Sequence, residues 1–148
     1  MFRLFSMEFK HDGKLSPHFS RQEFECRCCG RLVVNHNLLD GLEALRNLAS
    51  VAVFVNAGYR GPQRNQEVGG VPNSEPARGR AADIRLPDCH GSGCTNSHWR
   101  FHHFAPGGIA AYDGDFLHVD VRDHRARWAA CMVNMSESTN GHARLSSW

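Results

Sequence analysis

The clearest periodic pattern in the chain lies between residues 37 and 48. Five leucines occur there at spacings of one, three, three and three residues, which places them on one side of a helix: Leu38, Leu39, Leu42, Leu45 and Leu48. Most of the intervening positions are polar or small. The pattern predicts an amphipathic helix whose leucine stripe belongs to the hydrophobic core.

Four shorter segments have the composition of β-strands. Residues 51–55 form an apolar, β-branched run that predicts a buried strand, and residues 79–86 predict a second strand. Residues 107–112 and 116–122 predict a hairpin, because the Asp-Gly pair between them is a turn signal. The alternating apolar residues of the last segment indicate a strand with one buried face.

Two short helices and a loop complete the predicted elements. Ser20 and Glu23 have the spacing of a capping box, which predicts a short helix after Ser20. Residues 63–68 predict another helix, which two glycines would end. Residues 87–106 lack periodicity and predict a loop or short helix with four histidines, His90, His98, His102 and His103. Together these elements predict an α+β fold in which helices flank a small antiparallel sheet.

Length and composition favour a single domain. The 148 residues, 41% of them hydrophobic, suffice for one core and are few for two, so residues 1–148 are predicted to form one domain. Within it, residues 1–14 are an N-terminal extension and residues 132–148 a polar tail that we expect to be loosely ordered. The net charge is only +2, and the scattered basic residues do not favour nucleic acid as a partner.

The sequence contains no predicted targeting segment or membrane span. Charges interrupt residues 1–10 before any apolar stretch long enough for a secretory signal, and no later stretch is long enough to cross a membrane. We therefore expect the chain to be made in a cytoplasm.

Five of the six cysteines fall in two groups, Cys26-x-Cys28-Cys29 and Cys89-x4-Cys94. Paired thiolates at short spacing suit tetrahedral zinc, so the two groups are candidates for a zinc site. The alternative is a set of reduced thiols, or one or two disulfides. Neither spacing is that of a usual zinc knuckle, which favours the alternative.

Residues 74–84 contain the most informative group of polar and small residues. Ser74, Gly79, Ala81 and Asp83 follow the pattern Ser-x-x-x-x-Gly-x-Ala-x-Asp, which places Asp83 in the middle of a predicted strand. A carboxylate in such a position needs a partner, for example a metal ion or an arginine.

Several short motifs occur in an order that resembles a known family. From residue 15 to residue 128 they read LSPHFS, EFEC, LEALR, GYR, NQEVGG, GRAADI, HVDVR and RW. This order is similar to that of phage and bacterial peptidoglycan peptidases of the zinc D-Ala-D-Ala carboxypeptidase class. The resemblance implies a hedgehog/DD-peptidase-like fold, a zinc cofactor and peptidoglycan stem peptides as the ligand. Homology of this kind fixes the fold more firmly than the chemistry.

The resemblance implies that Asp83 and His118 are zinc ligands. A zinc hydrolase normally uses three protein ligands, and the family's first histidine corresponds to Pro76, which has no side-chain donor. Glu75, next to this position, is a candidate replacement ligand, and a histidine of the loop 87–106 is another. Neither replacement has a strong basis in the sequence.

The resemblance also implies roles for four other residues. Arg60 would bind the substrate's terminal carboxylate or stabilise the oxyanion, a task suited to the guanidinium fork, and Ser74 would contribute to substrate binding. Asp115 has the offset from His118 of the general base that activates water, although an aspartate that closes a turn is the common alternative. Asp120, two residues after His118 on the same strand face, could orient the imidazole.

Two functions follow from these features. With a third ligand, the protein is a zinc peptidase acting on D-Ala-terminated or cross-linked stem peptides. Without one, it is a catalytically degenerate pseudoenzyme that serves as a structural or wall-binding component of a phage virion, with other virion proteins as partners. Ala57, Gly61 and Arg64 also depart from the family pattern, as expected of a binding role. For both functions we expect a phage or prophage origin and action at the cell wall, reached by lysis or by virion delivery.

Overall fold

The computed structural model describes residues 13–89, 100–112 and 116–130. Their elements, in chain order, are α1 Arg21–Phe24, α2 His36–Ala49, β1 Phe54–Ala57, α3 Pro62–Glu67, a 3-10 helix Pro76–Arg78, β2 Ala81–Arg85, a second 3-10 helix His102–Phe104, β3 Gly108–Tyr112, β4 Phe116–Asp120 and β5 Ala126–Ala130.

The strands form one sheet in the order β1-β2-β4-β3-β5. The pairs β1–β2, β2–β4 and β3–β4 are antiparallel, and β5 joins the edge of β3 in parallel. The predicted α+β class is therefore confirmed, with a sheet that is mostly antiparallel. Sequence reasoning missed β5, whose residues show no clear alternation.

The two faces of the sheet differ in polarity because side chains alternate along each strand. One face contributes apolar residues to a single hydrophobic cluster shared with the leucines of α2: Ala82, Ile84, Ile109, Ala111, Leu117 and Val119. The opposite face carries Asp83, His118 and Asp120. The candidate site therefore lies on the face turned away from this core.

Helix α2 confirms the predicted leucine pattern over most of its length. Asn35 caps its start by accepting a hydrogen bond from the Asn37 amide at 2.8 Å, and Ser50 ends it in the left-handed conformation, at φ 54°. Leu48 was expected in the core stripe and is instead 41% exposed. Because an α-helix turns every 3.6 residues, Ala49 rather than Leu48 continues the buried face beyond Leu45.

The prediction of a buried strand over residues 51–55 is wrong in position and in burial. Strand β1 begins three residues later, and Phe54 in it is 45% exposed. Within the described ranges β1 pairs only with β2, and its register shifts between Val55 and Ala57. As an edge strand it does not need the continuous apolar sequence of a central strand.

The two short helices agree with their predicted signals. The Glu23 carboxylate accepts the Ser20 amide at 2.7 Å at the start of α1, and α3 ends just before Gly69, which has φ 73°. Within residues 13–89, 100–112 and 116–130, no helix is both long and apolar enough to cross a membrane. The predicted turn at Asp113-Gly114, Asp115, the tail 132–148 and nearly all of the extension 1–14 lie outside the described residues.

Candidate functional site

The candidate site is built on one row of residues that crosses four strands. Asp83 on β2 is the register partner of His118 on β4, which pairs with Ala110 on β3, which in turn pairs with Trp128 on β5. Asp83 Oδ1 lies 3.2 Å from His118 Nδ1. The small side chain of Ala110 lets the His118 and Trp128 rings approach to 5.1 Å between centroids. Strand register thus brings together the two residues predicted as metal ligands.

Asp120 holds the other side of the His118 ring. Its Oδ2 lies 2.8 Å from His118 Nε2, and its Oδ1 accepts the amide hydrogens of Gly108 at 2.8 Å and Arg122 at 3.1 Å. The Arg122 guanidinium also donates to both carboxylate oxygens. A Cβ at Gly108 would lie 2.2 Å from Asp120 Oδ2, so only glycine fits there. The geometry is that of a carboxylate that fixes the orientation of an imidazole.

These contacts set the charges of the buried groups. Burial alone would raise the pKa of the Asp120 carboxyl, but hydrogen bonds from His118 and Arg122 outweigh it and hold this pKa well below its usual range. Burial alone would lower the pKa of His118, but its hydrogen bonds to Asp120 and Asp83 outweigh burial and raise it. The two carboxylates therefore stabilise the protonated, cationic form of His118.

Arg122 and Trp128 close the outer side of this network. The hydrogen bonds to Asp120 raise the pKa of the Arg122 guanidinium, whose Cζ lies 4.9 Å from the centre of the Trp128 ring. A guanidinium over an indole face is a favourable cation–π contact. Trp128 therefore lies on the face of the sheet that carries the site.

Arg60, Asn65 and Ser74 form a second polar group. Arg60 Nη1 donates to Asn65 Oδ1 at 3.3 Å, and the Ser74 hydroxyl donates to the same oxygen at 2.9 Å. The Asn65 amide donates to the Val71 carbonyl at 2.7 Å, which fixes the direction of this buried side chain. A Cβ at Gly70 would lie 2.2 Å from Asn65 Oδ1, so glycine is required for this packing. The two predicted substrate-binding residues are thus held by one buried asparagine.

Tyr112 connects the two groups. Burial raises the pKa of its phenol, the charge of Asp83 raises it further, and the charge of Arg60 lowers it. Arg60 itself follows β1, whose last residue, Ala57, is the register partner of Asp83. The Trp128 indole N–H lies 3.4 Å from the same hydroxyl.

In the loop before β2, the Glu75 carboxylate is directed at two arginines. This arrangement does not favour its predicted role as a replacement zinc ligand. Glu75 Oε2 lies 3.1 Å from Arg80 Nε, and Oε1 lies 3.9 Å from Arg78 Nη1. Arg80 is buried and also donates to the Val121 carbonyl at 2.7 Å. The carbonyl of Pro76 accepts the Arg60 amide at 3.0 Å, so this segment supports the loop that carries Arg60.

The Asp83–His118 pair fits two ligands of a zinc ion but not a complete site. Donors at zinc–ligand distances in tetrahedral geometry are separated by about 3.4 Å, close to the 3.2 Å observed here. Within the described part of the chain, however, only Cys26, Cys28 and Cys29 form a group of three possible ligands. The described residues therefore do not supply the three protein ligands of a hydrolytic zinc site at this position. Asp115, His90 and His98 lie outside the described ranges.

Among the described cysteines, Cys89 does not join the group of Cys26, Cys28 and Cys29, and Cys94 lies outside the described residues. Cys26, Cys28 and Cys29 carry free thiols whose sulfur atoms all lie within 4.8 Å of one another. Cys89 is disulfide-bonded and is thus no free ligand.

The sequence did not identify three residues of the site. Tyr112 and Arg122 were not assigned to it, and the position of Trp128 beside His118 was not predicted. Arg122 could have been predicted, because side-chain alternation along the strand places it on the same side as His118 and Asp120. Tyr112 lies on the predicted strand β3, whereas the position of Trp128 depends on β5, which the sequence did not indicate.

Comparison with known proteins agrees with this architecture. The family model described as Peptidase M15 matches residues 17–120, more than two thirds of the chain. No curated protein matches the chain. The matched range includes Arg60 and also Asp83, His118 and Asp120, which contact one another on one face of the sheet. The chain belongs to the peptidase M15 family, that of the zinc D-Ala-D-Ala carboxypeptidases, and is a peptidase-like domain.

Proposed function

We propose that this domain acts on or binds the stem peptides of peptidoglycan at the face that carries Asp83 and His118, with Arg60 holding the peptide's terminal carboxylate. The observation that carries the proposal is the position of Arg60. Its guanidinium is anchored on Asn65, and Arg60 follows strand β1, whose last residue, Ala57, is the register partner of Asp83. A cation held beside the sheet face suits a ligand that ends in a carboxylate.

The chemistry of Arg60 supports a free C-terminus as the recognised group. A guanidinium presents several N–H donors in one plane and pairs with a carboxylate through two parallel hydrogen bonds. Arg60 uses one nitrogen on Asn65. The Ser74 hydroxyl donates to Asn65 as well, so toward a ligand it would serve as an acceptor of a peptide N–H.

Hydrolysis by this domain would need a further metal donor. Asp83 and His118 are the described candidates, and zinc, once bound, would polarise a peptide carbonyl and acidify water. Glu75 is paired with Arg80. The role of Asp115 as general base remains a prediction. Binding and cleavage are therefore separate outcomes, and binding without cleavage would identify the pseudoenzyme function.

The proposed setting is a phage or prophage, with the protein reaching the wall after lysis or inside a virion. Its support is the similarity of the motifs to phage peptidoglycan peptidases. Mass spectrometry of purified virions would detect the chain if a virion carries it.

Calorimetry with a stem pentapeptide ending in D-Ala-D-Ala tests the proposal, with mass spectrometry of the same samples to detect cleavage. We expect binding that weakens about 10- to 100-fold when the terminal carboxylate is amidated or in Arg60→Gln, since a hydrogen bond to a charged group contributes roughly 1.5–3 kcal/mol.

The matched control is Arg64→Gln. Arg64 lies on α3 with an exposed side chain paired to Glu67 at 3.5 Å, and its loss should leave binding unchanged. Neither binding nor cleavage by the wild type, or equal affinity for acid and amide, would overturn the proposal.

A further inference from the structure

We propose that Cys26, Cys28 and Cys29 form a zinc-binding site of their own, separate from the Asp83–His118 pair. The three thiols are free, and their sulfur atoms lie within 4.8 Å of one another. This is the one group of three or more possible metal ligands within the described ranges. The inference does not depend on peptide binding at Arg60.

The geometry needs only a small adjustment to hold zinc. Zinc–sulfur bonds of about 2.3 Å in tetrahedral geometry place two sulfur atoms roughly 3.8 Å apart. Cys26 is buried, whereas Cys28 and Cys29 are exposed. Rotation of the two exposed side chains can therefore draw their sulfur atoms toward the fixed one.

A tight backbone turn brings the three sulfur atoms together. The Cys26 amide donates to the Arg31 carbonyl at 2.8 Å, and the Gly30 amide donates back to the Cys26 carbonyl at 2.8 Å. Gly30 has φ 66°, a conformation that glycine adopts without strain. The loop is closed by its own hydrogen bonds and does not need a metal to form.

The surroundings of Cys26 favour the thiolate that zinc requires. Burial by itself raises the pKa of this thiol, but hydrogen bonds from the backbone of Gly61, Cys28 and Cys29 outweigh it and lower the pKa to about 7. By contrast, burial and then the charge of Cys26 raise the pKa of Cys28. Several thiolates together repel one another, and a bound dication offsets this repulsion.

Zinc at this position would stiffen the loop that carries Arg60. A Cβ at Gly61 would lie 3.0 Å from Cys29 Sγ and 3.4 Å from Cys26 Sγ, so the sulfur atoms rest on the backbone at the start of α3. The preceding Tyr59 amide donates to the Phe24 carbonyl at 2.7 Å. The three sulfur ligands would leave the fourth position on zinc open to solvent.

Metal titration of the reduced, chelator-treated protein tests the inference, with zinc as the ligand and cobalt as its spectroscopic probe. We expect one equivalent with thiolate-to-cobalt charge-transfer absorption. Zinc affinity should fall at least about 10- to 100-fold in Cys28→Ser and in Cys29→Ser. Loss of a metal ligand should weaken binding at least as much as loss of a residue that hydrogen-bonds to a ligand. Zinc should also raise the Tm of the wild type and not that of Cys28→Ser.

The double variant Asp83→Asn, His118→Gln separates the two sites, since it should keep the cobalt absorption and the zinc-dependent rise in Tm. The inference is overturned if both cysteine variants bind zinc as the wild type does. It is equally overturned if the reduced wild type takes up no metal and two of the three thiols form a disulfide in air.

Discussion

The candidate site has a strand side, formed by Asp83, His118 and Asp120, and a loop side, formed by Glu75, Pro76 and Arg80. The two sides differ in how their polar groups are paired. On the strand side, Asp83 and Asp120 both point their carboxylates at His118, and Arg122 neutralises the buried Asp120. On the loop side, Glu75 turns to Arg80, which is buried and bonded to the Val121 carbonyl. On the strand side, two carboxylates are thus directed at one imidazole. On the loop side, the Glu75 carboxylate is paired with the Arg80 guanidinium.

This difference shows that strand register fixes the pairing of two site residues, whereas a loop can change the residues that it presents to the site. Pairing of Asp83 with His118 follows from backbone hydrogen bonds between β2 and β4, so the pair persists whatever occupies the loop. The loop holds Pro76 at the position where the family resemblance implies a zinc ligand, and the neighbouring Glu75 carboxylate pairs with Arg80. The strand side is thus expected to tolerate mutation least.

The largest expected effect comes from Asp120→Ala on the strand side. Removing this carboxylate leaves His118 and Arg122 without their common partner, and breaking a buried ion pair costs about 3–5 kcal/mol. Urea unfolding should show this loss. The control is Asp123→Ala, whose side chain is 85% exposed and pairs with the buried Arg80 at 3.2 Å. Because Arg80 keeps Glu75 and the Val121 carbonyl as partners, this loss should be about 1 kcal/mol or less. Equal losses would contradict the contrast between the two sides.

Restoring a donor on the loop side should have the next largest effect. In a Cys28→Ser background, Pro76→His is expected to bind zinc at least about 100-fold more tightly than Pro76→Ala, because it adds a third ligand to the Asp83–His118 pair. Competition with a chromogenic chelator measures the affinities, and His118→Gln should remove the gain. If the histidine and alanine variants bind zinc equally, Pro76 does not occupy the vacant ligand position.

A smaller effect is expected for Glu75→Gln. Arg80 keeps its bonds to Val121 and Asp123, and the amide can still accept a hydrogen bond, so the loss of stability should be about 1.5 kcal/mol. Zinc binding by the Asp83–His118 pair should not change, because the Glu75 carboxylate is directed at Arg80. In the Cys28→Ser background, loss of zinc on this substitution would instead identify Glu75 as a ligand.

The smallest effect concerns pH. The folded pKa of His118 is raised, so its contribution to stability is complete below the unfolded pKa and is lost as pH rises through the folded pKa. With a chelator present, the free energy of unfolding should therefore fall as pH rises above the ordinary histidine pKa of 6.5, and by more in the wild type than in His118→Gln. Parallel pH profiles for the two proteins would show that Asp83 and Asp120 do not stabilise the protonated imidazole.

The predictable parts of the molecule are those governed by local periodicity. Helix α2, the strand that carries Asp83 and the strand that carries His118 follow from patterns within a few residues. The contacts of Arg122 with Asp120 and of Trp128 with His118 depend on which strands become neighbours, and β5 joins through a parallel pairing that no local pattern reports. The Glu75–Arg80 ion pair depends on how the loop folds back, which proximity to Pro76 did not indicate.

The most direct test of the proposed function is nuclear magnetic resonance of the His118 imidazole, assigned by comparison with His118→Gln, during titration with a stem pentapeptide ending in D-Ala-D-Ala. We expect a saturable shift of the His118 signals that is absent, or needs far more peptide, when the terminal carboxylate is amidated. Unchanged His118 signals at peptide concentrations that saturate binding would place the ligand elsewhere and contradict the proposed function.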